Sequence, residues 1–282
     1  MLVVLTIIWG FSFIALSDGV KVLAPETLLF WRFLVASVAL LGANVFNKKA
    51  CLPWKEGFIA SIMFAIAYYA QTKGLLYTSP SVAAFITGLL VIFTPLFEAV
   101  VAKKAPPLRV WLSSLIALLG TYFLVGTGNG NSSSLGVFLQ LICAILFSVH
   151  IVYLGSKSHL DPIAFVAVQC IFMSVFYGGL ATIKGTFAWP RQALLGILYL
   201  GLLATALGLS LQVKAQRSVS PSEASLIFSL EPVFAAIFSA IILKEKLTWS
   251  SFLGMGLIFI ASLAVDFNWQ KDKTISSTES GR

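Results

Sequence analysis

Glu231 is the residue of this chain with the clearest potential for chemistry, because it lies near the middle of a long apolar stretch. An ionisable side chain at the centre of a bilayer costs about 2.5–3.5 kcal/mol on insertion scales, so its presence calls for a reason. Pro232 follows directly, and a proline leaves a carbonyl one turn earlier unpaired and kinks the helix. The carboxylate could therefore bind a substrate or a proton in a polar cavity, or it could form a structural hydrogen bond to a neighbouring helix.

Three further ionisable residues, Arg32, His150 and Lys214, lie at or within apolar stretches. Arg32 could anchor an anionic group of a ligand, or its long side chain could extend to the membrane interface. Lys214 could likewise place a charge at one mouth of a pathway or simply reach the interface. His150 could titrate near neutral pH, although a single histidine in an apolar helix is often a packing residue.

Aromatic and proline residues add two further features to this set. Trp9 and Tyr69, together with the neighbouring Tyr68, could stack on a planar substrate, or they could pack in the core or at the lipid interface. Pro95 is the predicted counterpart of Pro232 in an earlier helix, so we expect a helix kink at each of these positions.

The chain lacks the residue patterns of an enzyme or a metal site. It has two histidines and three cysteines in 282 residues, without a metal-ligand spacing such as H-E-x-x-H. Its apolar stretches hold no paired aspartates, and no G-x-x-x-x-G-K-[ST] sequence predicts nucleotide binding. We therefore expect no metal, no cofactor and no enzymatic activity.

Composition predicts that membrane-spanning helices carry these residues. Hydrophobic residues make up 59 % of the chain and charged residues 11 %, against roughly 25 % charged residues in soluble domains. The apolar residues form stretches of about 20, the length that a helix needs to cross a hydrocarbon core of ~30 Å. The ten predicted spans are 2–16, 27–46, 57–77, 82–102, 108–125, 135–154, 162–183, 193–213, 222–243 and 249–267.

The two halves of the chain share a sequence repeat. The repeated residues are Gln71, Lys73, Ser79, Pro80, Ser81, Ala83 and Ile86, each identical to the residue 141 positions later. Each half holds five spans, an odd number, so the second copy enters the membrane in the opposite orientation. We predict an all-α membrane protein of ten transmembrane helices in two inverted five-helix repeats. The repeats are 1–126 and 135–268, joined by a loop at 127–134 and followed by a disordered cytoplasmic tail at 269–282.

The distribution of basic residues predicts the orientation in the membrane. Lysine and arginine are more frequent in the tail and in the loops after even-numbered spans, and basic loops stay in the cytoplasm. Both termini are therefore predicted to be cytoplasmic, in a multi-pass protein of the cell (inner) membrane. The net charge of +8 has this topological explanation and does not indicate nucleic-acid binding. The first span lacks the basic region of a signal peptide, so we expect it to be retained.

Short motifs follow one another in a fixed order along the chain, some in the first half and others in the second. They are Trp9-Gly10-Phe11-Ser12-Phe13, Pro25, Phe30-Trp31-Arg32, Gln216, Ser220-Pro221, Leu230-Glu231-Pro232 and Leu243-Lys244-Glu245. Together they resemble the EamA-type family of the drug/metabolite transporter superfamily, over almost the whole chain. The resemblance implies two inverted five-helix units around a central cavity. It also implies that the fifth and tenth spans, 108–125 and 249–267, stand apart from the transport path.

These observations predict a secondary transporter that moves a small polar or amphipathic metabolite, such as an amino acid or a related compound, by alternating access. Its energy would come from a gradient, with protons as the candidate co-substrate, or from exchange. The residues expected to bind substrate are Glu231, Trp9, Tyr69, Arg32, Lys214 and His150. The alternatives are a channel or facilitator and, as a third class, an intramembrane enzyme. Membrane lipids are the expected surroundings, and the sequence indicates no oligomeric state.

Overall fold

The computed structural model describes residues 1–46, 51–78, 80–125, 133–242, 244 and 247–263, and in these residues the chain forms helices and their connections, with no strand. The first six helices are α1 (Leu2–Val22), α2 (Pro25–Phe46), α3 (Trp54–Gly74), α4 (Pro80–Gly88), α5 (Leu90–Ala102) and α6 (Leu108–Val125). The helices of the second half are α7 (Ser134–Ser156), α8 (Pro162–Ile183), α9 (Leu194–Leu198), α10 (Gly208–Ala215), α11 (Pro221–Phe228), α12 (Glu231–Ile242) and α13 (Trp249–Leu263). A π-helical segment, Tyr199–Leu207, joins α9 to α10 without a break. The predicted junction loop and tail lie almost wholly outside the described residues.

Seven helical stretches are long and apolar enough to cross a membrane, as expected for a multi-pass membrane protein. They are Leu2–Val22, Pro25–Phe46, Val82–Ala102, Ser134–Ser156, Pro162–Ile183, Leu194–Ala215 and Pro221–Ile242. The apolar helices α6 and α13 are shorter in the described residues. The total of ten spans stays a prediction, since α3 does not reach the same apolarity.

The first helix extends beyond its predicted end at residue 16. The sequence Ser17-Asp18-Gly19 is polar, yet it remains helical through Val22. The Lys21 ammonium lies 2.7 Å from the Asp18 carboxylate, and ion pairs three residues apart stabilise a helix turn. The helix then ends before Pro25, the first residue of α2.

Two of the long stretches are interrupted at equivalent positions. Leu89 separates α4 from α5 and donates its N–H to the Ile86 carbonyl, three residues back, at 3.1 Å. Leu230 ends the connection between α11 and α12 and donates in the same way to the Ile227 carbonyl at 3.1 Å. The donor and the acceptor in the second half each lie 141 residues after the donor and the acceptor in the first half. The interruptions therefore share the register of the sequence repeat.

This register differs from the predicted pairing of Pro95 with Pro232. Pro232 is the second residue of α12 and therefore lies directly after the interruption, as expected. It has no N–H to donate to a carbonyl in the last turn of α11. Pro95 instead lies inside α5, more than one turn after Leu89. At the common offset the counterpart of Glu231 is Leu90 rather than the residue before Pro95.

Helix α7 shows how equivalent helices of the two halves are directed. The Gln140 amide, near the start of α7, donates to the carbonyl of Gln71 in the last turn of α3 at 3.0 Å. The Gln216 amide, directly after α10, donates to the carbonyl of Ile151 near the other end of α7 at 2.9 Å. Helices α3 and α10 occupy equivalent places in the repeat, and they end at opposite ends of α7.

Helices α6 and α13 cross with their backbones in close contact. A Cβ added at Gly120 would lie 2.8 Å from the Gly254 carbonyl oxygen, and one added at Gly254 would collide with the backbone of Leu124. Small residues at such crossings let helices approach closely. The position of Gly120 and Gly254 at this crossing indicates a packing role.

Replacing Gly254 with alanine is therefore expected to destabilise the protein by about 1–3 kcal/mol, the usual effect of overpacking. Thermal unfolding in detergent would show this as a lower melting temperature. Gly256→Ala is the matched control, because a Cβ there meets no atom within 4 Å. Equal melting temperatures for the two variants would contradict the proposed close crossing.

Candidate substrate-binding site

A cavity lies between the helices of the two halves. Its volume is about 60 Å³, which corresponds to several water molecules. The lining residues come from α1, α2, α3, α4, α5, α7, α10, α11 and α12. Of the described residues, none from α6 or α13 lines it, as the family resemblance implied for the fifth and tenth spans.

Arg32 is the cation of this cavity and is only 3 % exposed. Its Nε donates to the Thr205 hydroxyl at 2.7 Å, and its Nη2 donates to the Tyr68 hydroxyl at 3.0 Å. The Tyr68 ring also covers the guanidinium, with Cζ 4.4 Å from the ring centroid, a cation–π geometry. These contacts place Arg32 inside the protein rather than at the membrane interface, which was the alternative interpretation.

The π-helical segment holds two cavity residues, Arg32 and Trp9, in place by hydrogen bonds. Thr205, which accepts from Arg32, and Ala204, whose carbonyl accepts from Trp9 Nε1 at 2.8 Å, are adjacent in this segment. A widened π turn changes the hydrogen-bonding pattern of the backbone and is frequent at functional sites. Gly201 contributes by letting the backbone of α2 approach, because a Cβ there would lie 2.9 Å from the Arg32 carbonyl oxygen.

Glu231 begins α12 and lines the same cavity. Gly10 of α1 packs against this turn, where a Cβ would lie 2.7 Å from the Phe234 Cβ and 3.1 Å from the Glu231 carbonyl oxygen. Among the described residues, no hydrogen-bond donor pairs with the Glu231 carboxylate, and no cation lies within 4.0 Å of it. In the part of the chain that the structure describes, the Glu231 carboxylate thus has no side-chain partner from a neighbouring helix.

His150 and Trp9 also line the cavity, and both have partners in the protein. The His150 ring is stacked on Phe64 with a centroid distance of 3.8 Å and an interplanar angle of 5°. Its Nε2 lies 2.9 Å from the Gln169 amide oxygen. Trp9 is fixed by its bond to the π-helical segment and packs against Phe228 at 5.2 Å. These two rings form rigid walls.

Tyr69 and Lys214 are not among the residues that line the cavity. The Tyr69 hydroxyl accepts a hydrogen bond from Lys184 Nζ at 2.6 Å, which raises the pKa of Lys184, just beyond the end of α8. Tyr68 faces the cavity instead, because consecutive residues of a helix point in directions about 100° apart. Lys214 is exposed near the end of α10, in keeping with the interface interpretation.

Sequence reasoning did not select Gln71 and Gln212 as candidates, although both line the cavity. The signal was present, since they are the first identical pair of the repeat. Uncharged amides in apolar helices do not carry the cost that marks an ionisable residue.

Known proteins resemble this chain along almost all of its length. A protein of Archaeoglobus fulgidus named "Uncharacterized transporter" is 31 % identical over 268 residues, covering 94 % of this chain and 84 % of its own. The "Uncharacterized inner membrane transporter YedA" of Escherichia coli (strain K12) is 26 % identical over 272 residues, covering 93 % and 88 %. A solved crystal structure has a TM-score of 0.82 at 16 % identity and 96 % coverage of both chains, which shows a shared fold.

The model of the EamA-like transporter family matches residues 1–126 and 134–265, which is nearly the whole chain. This match agrees with the apolar helices, with the central cavity and with the names of the relatives. The chain therefore belongs to the EamA-like transporter family and is a multi-pass membrane transporter, not an enzyme.

Proposed function

We propose that this protein is a secondary transporter of small zwitterionic metabolites, such as amino acids or related compounds, and that it works by alternating access. The proposal rests mainly on one observation: Arg32 and Glu231 line one cavity, and the carboxylate has no cationic partner within 4.0 Å among the described residues. A proton gradient or exchange would supply the energy. Substrate would bind between these two charges.

The chemistry of the two charged groups favours a zwitterion. A guanidinium has five N–H donors, and the described contacts of Arg32 use two of them. The remaining donors can bind a carboxylate, for which the planar fork of arginine is well suited. Glu231 can accept from an ammonium group. A ligand that brings both charges compensates both groups, whereas a neutral or singly charged ligand leaves one without a partner.

The rest of the lining indicates the shape of the substrate. Phe13, Phe64, Phe147 and Phe228 contribute aromatic surface, in addition to the walls formed by Trp9 and His150. Ligand sites commonly combine an apolar lining with a few polar groups that fix orientation. An amino acid with an apolar or aromatic side chain would fit this combination.

Alternating access is supported by the relation between the two halves. Four pairs of cavity residues are 141 positions apart: Trp9 and His150, Gln71 and Gln212, Thr87 and Phe228, and Leu90 and Glu231. The matched helix interruptions and the opposite ends of α3 and α10 agree with this relation. In the proposed ten-helix arrangement, a pseudo-two-fold axis in the membrane plane exchanges the halves, and substrate sites of such transporters lie at the repeat interface.

We propose that a contact between the halves closes one end of the cavity. Glu98 of α5 accepts hydrogen bonds from the Ser222 backbone N–H, at 2.9 Å, and from the Ser222 hydroxyl. Ser222 belongs to the first turn of α11, where Ser220 and Glu223 form a capping box. At this point a carboxylate satisfies N–H groups that the helix itself leaves unpaired. We assign this closed end to the cytoplasmic side, from the predicted orientation.

Removing this contact is expected to open the cytoplasmic end. In a background without native cysteines, Glu98→Ala should increase at least fivefold the rate at which a membrane-impermeant thiol reagent labels Ser225→Cys, a buried position on α11. Glu56→Ala, at the start of α3, is the control and should leave the rate unchanged. An unchanged rate in the Glu98 variant would show that the contact does not hold this end closed.

The function itself can be tested in proteoliposomes. An equimolar mixture of the twenty proteinogenic L-amino acids, quantified by mass spectrometry, should show saturable flux of at least one member above that of empty liposomes. No flux above the empty liposomes would refute the proposed amino-acid substrate. Non-saturable flux with ohmic current in a planar bilayer would indicate a channel instead.

A further inference from the structure

We propose that Gln71 and Gln212 are paired substrate-binding amides, one near each end of the cavity, which contact the substrate as it enters from opposite sides. The inference rests on the proposed function and names residues that the charged groups alone would not indicate. Three observations support it: the burial of the two amides, their different levels relative to α7, and the asymmetry of the charged groups between them.

Both glutamine side chains are largely buried at the cavity, and their amides have no hydrogen-bond partner among the described residues. The exposed fractions are 7 % for Gln71 and 2 % for Gln212, and both residues line the cavity. Among the described residues, no hydrogen bond is made by either side-chain amide; the bonds at these positions involve the backbone carbonyls. Buried polar groups are normally hydrogen-bonded. Two buried, unpartnered amides at a cavity are therefore suited to bind a ligand.

Their spacing places the amides at different levels of the cavity. Gln71 lies level with Gln140 of α7, to which its carbonyl is bonded. Gln216 lies level with Ile151, and Gln212 is about one turn earlier. The two amides are thus about seven residues apart along α7, or roughly 10 Å at 1.5 Å per residue. A substrate of amino-acid size could contact one amide and then the other.

The charged groups of the cavity do not follow the repeat. The position 141 residues after Arg32 is Met173, and the position 141 residues before Glu231 is Leu90. Gln71 and Gln212 are the one identical pair in the described lining. When the halves exchange roles, this pair offers the substrate the same chemistry on each side.

An amide is suited to this role because it both donates and accepts hydrogen bonds. The NH₂ group of either glutamine can bind the carboxylate of a zwitterion, and the carbonyl oxygen can bind its ammonium group. The substrate can therefore be held in either orientation before Arg32 and Glu231 fix it between them.

Cysteine labelling tests the placement and the contact together. In a transport-competent parent without native cysteines, Gln71→Cys should react with an impermeant methanethiosulfonate reagent added outside, and Gln212→Cys with reagent added on the cytoplasmic side. A saturating concentration of the amino acid with the largest flux should slow both reactions at least fivefold. Labelling from the same side, or labelling that substrate does not slow, would overturn the inference.

Isosteric variants give a second measurement, which does not depend on the correct folding of the cysteine variants. Gln71→Met and Gln212→Met should each raise the half-saturation concentration for equilibrium exchange at least tenfold, as expected when a hydrogen bond to a charged group is lost. Gln192→Met, an exposed glutamine outside the lining, should stay within twofold of the parent. A transporting parent with unchanged half-saturation in both cavity variants overturns the glutamine pair alone. A parent without amino-acid flux overturns the proposed function.

Discussion

Replacement of Glu231 with glutamine is expected to reduce amino-acid flux at least a hundredfold while leaving the protein folded. The substitution keeps the size of the side chain but removes the charge that would compensate the substrate ammonium. Truncating one partner of a buried charge pair typically costs about 2–5 kcal/mol, and each 1.4 kcal/mol corresponds to a factor of ten. Flux into proteoliposomes, normalised to folded protein, measures the effect.

Glu223→Gln is the matched control for this substitution. Glu223 occupies the capping box of α11, in which glutamine serves as well as glutamate, so flux should be unchanged. Any stimulation of flux by a pH gradient should also be lost in Glu231→Gln if this carboxylate carries the coupled proton. Wild-type flux with an unaltered pH dependence in Glu231→Gln would refute its proposed role.

Replacement of Arg32 with lysine is expected to raise the half-saturation concentration for the transported amino acid at least tenfold. Lysine keeps the charge but loses the planar fork that can bind Thr205, Tyr68 and a carboxylate at once. Arg32→Met should abolish measurable flux and lower thermal stability, because it also leaves two buried hydroxyl groups without their partner. Flux and melting temperature are measured on the same preparations.

The control for Arg32→Lys is Arg217→Lys. Arg217 is exposed and donates to the carbonyls of Ser158 and Leu160, so its replacement should leave the half-saturation concentration within twofold. Substrate analogues give a separate criterion: the amide of the transported amino acid, which lacks the carboxylate, should compete at least tenfold less well. Equal competition by acid and amide would show that Arg32 does not bind a carboxylate.

The sequence by itself determined the class of the protein. Long apolar stretches predict membrane helices because the bilayer leaves no other way to satisfy the backbone. The motifs from Trp9 to Glu231 indicated the family that the comparison shows. Arg32, Glu231, His150 and Trp9 were recognisable because polar or amphipathic residues in a membrane span require an explanation, and the structure brings all four to one cavity.

Only the tertiary structure decided which side of each helix faces that cavity. The polar and apolar residues of α3 do not separate onto different faces of the helix, so nothing in its own sequence showed that Tyr68 and Gln71 would line the cavity and Tyr69 would not. Helix rotation is set by packing against neighbours, such as the contact of Gly57 with Val168 of α8. The register of the two interruptions, at Leu89 and Leu230, likewise depends on backbone hydrogen bonds that the positions of the prolines did not indicate.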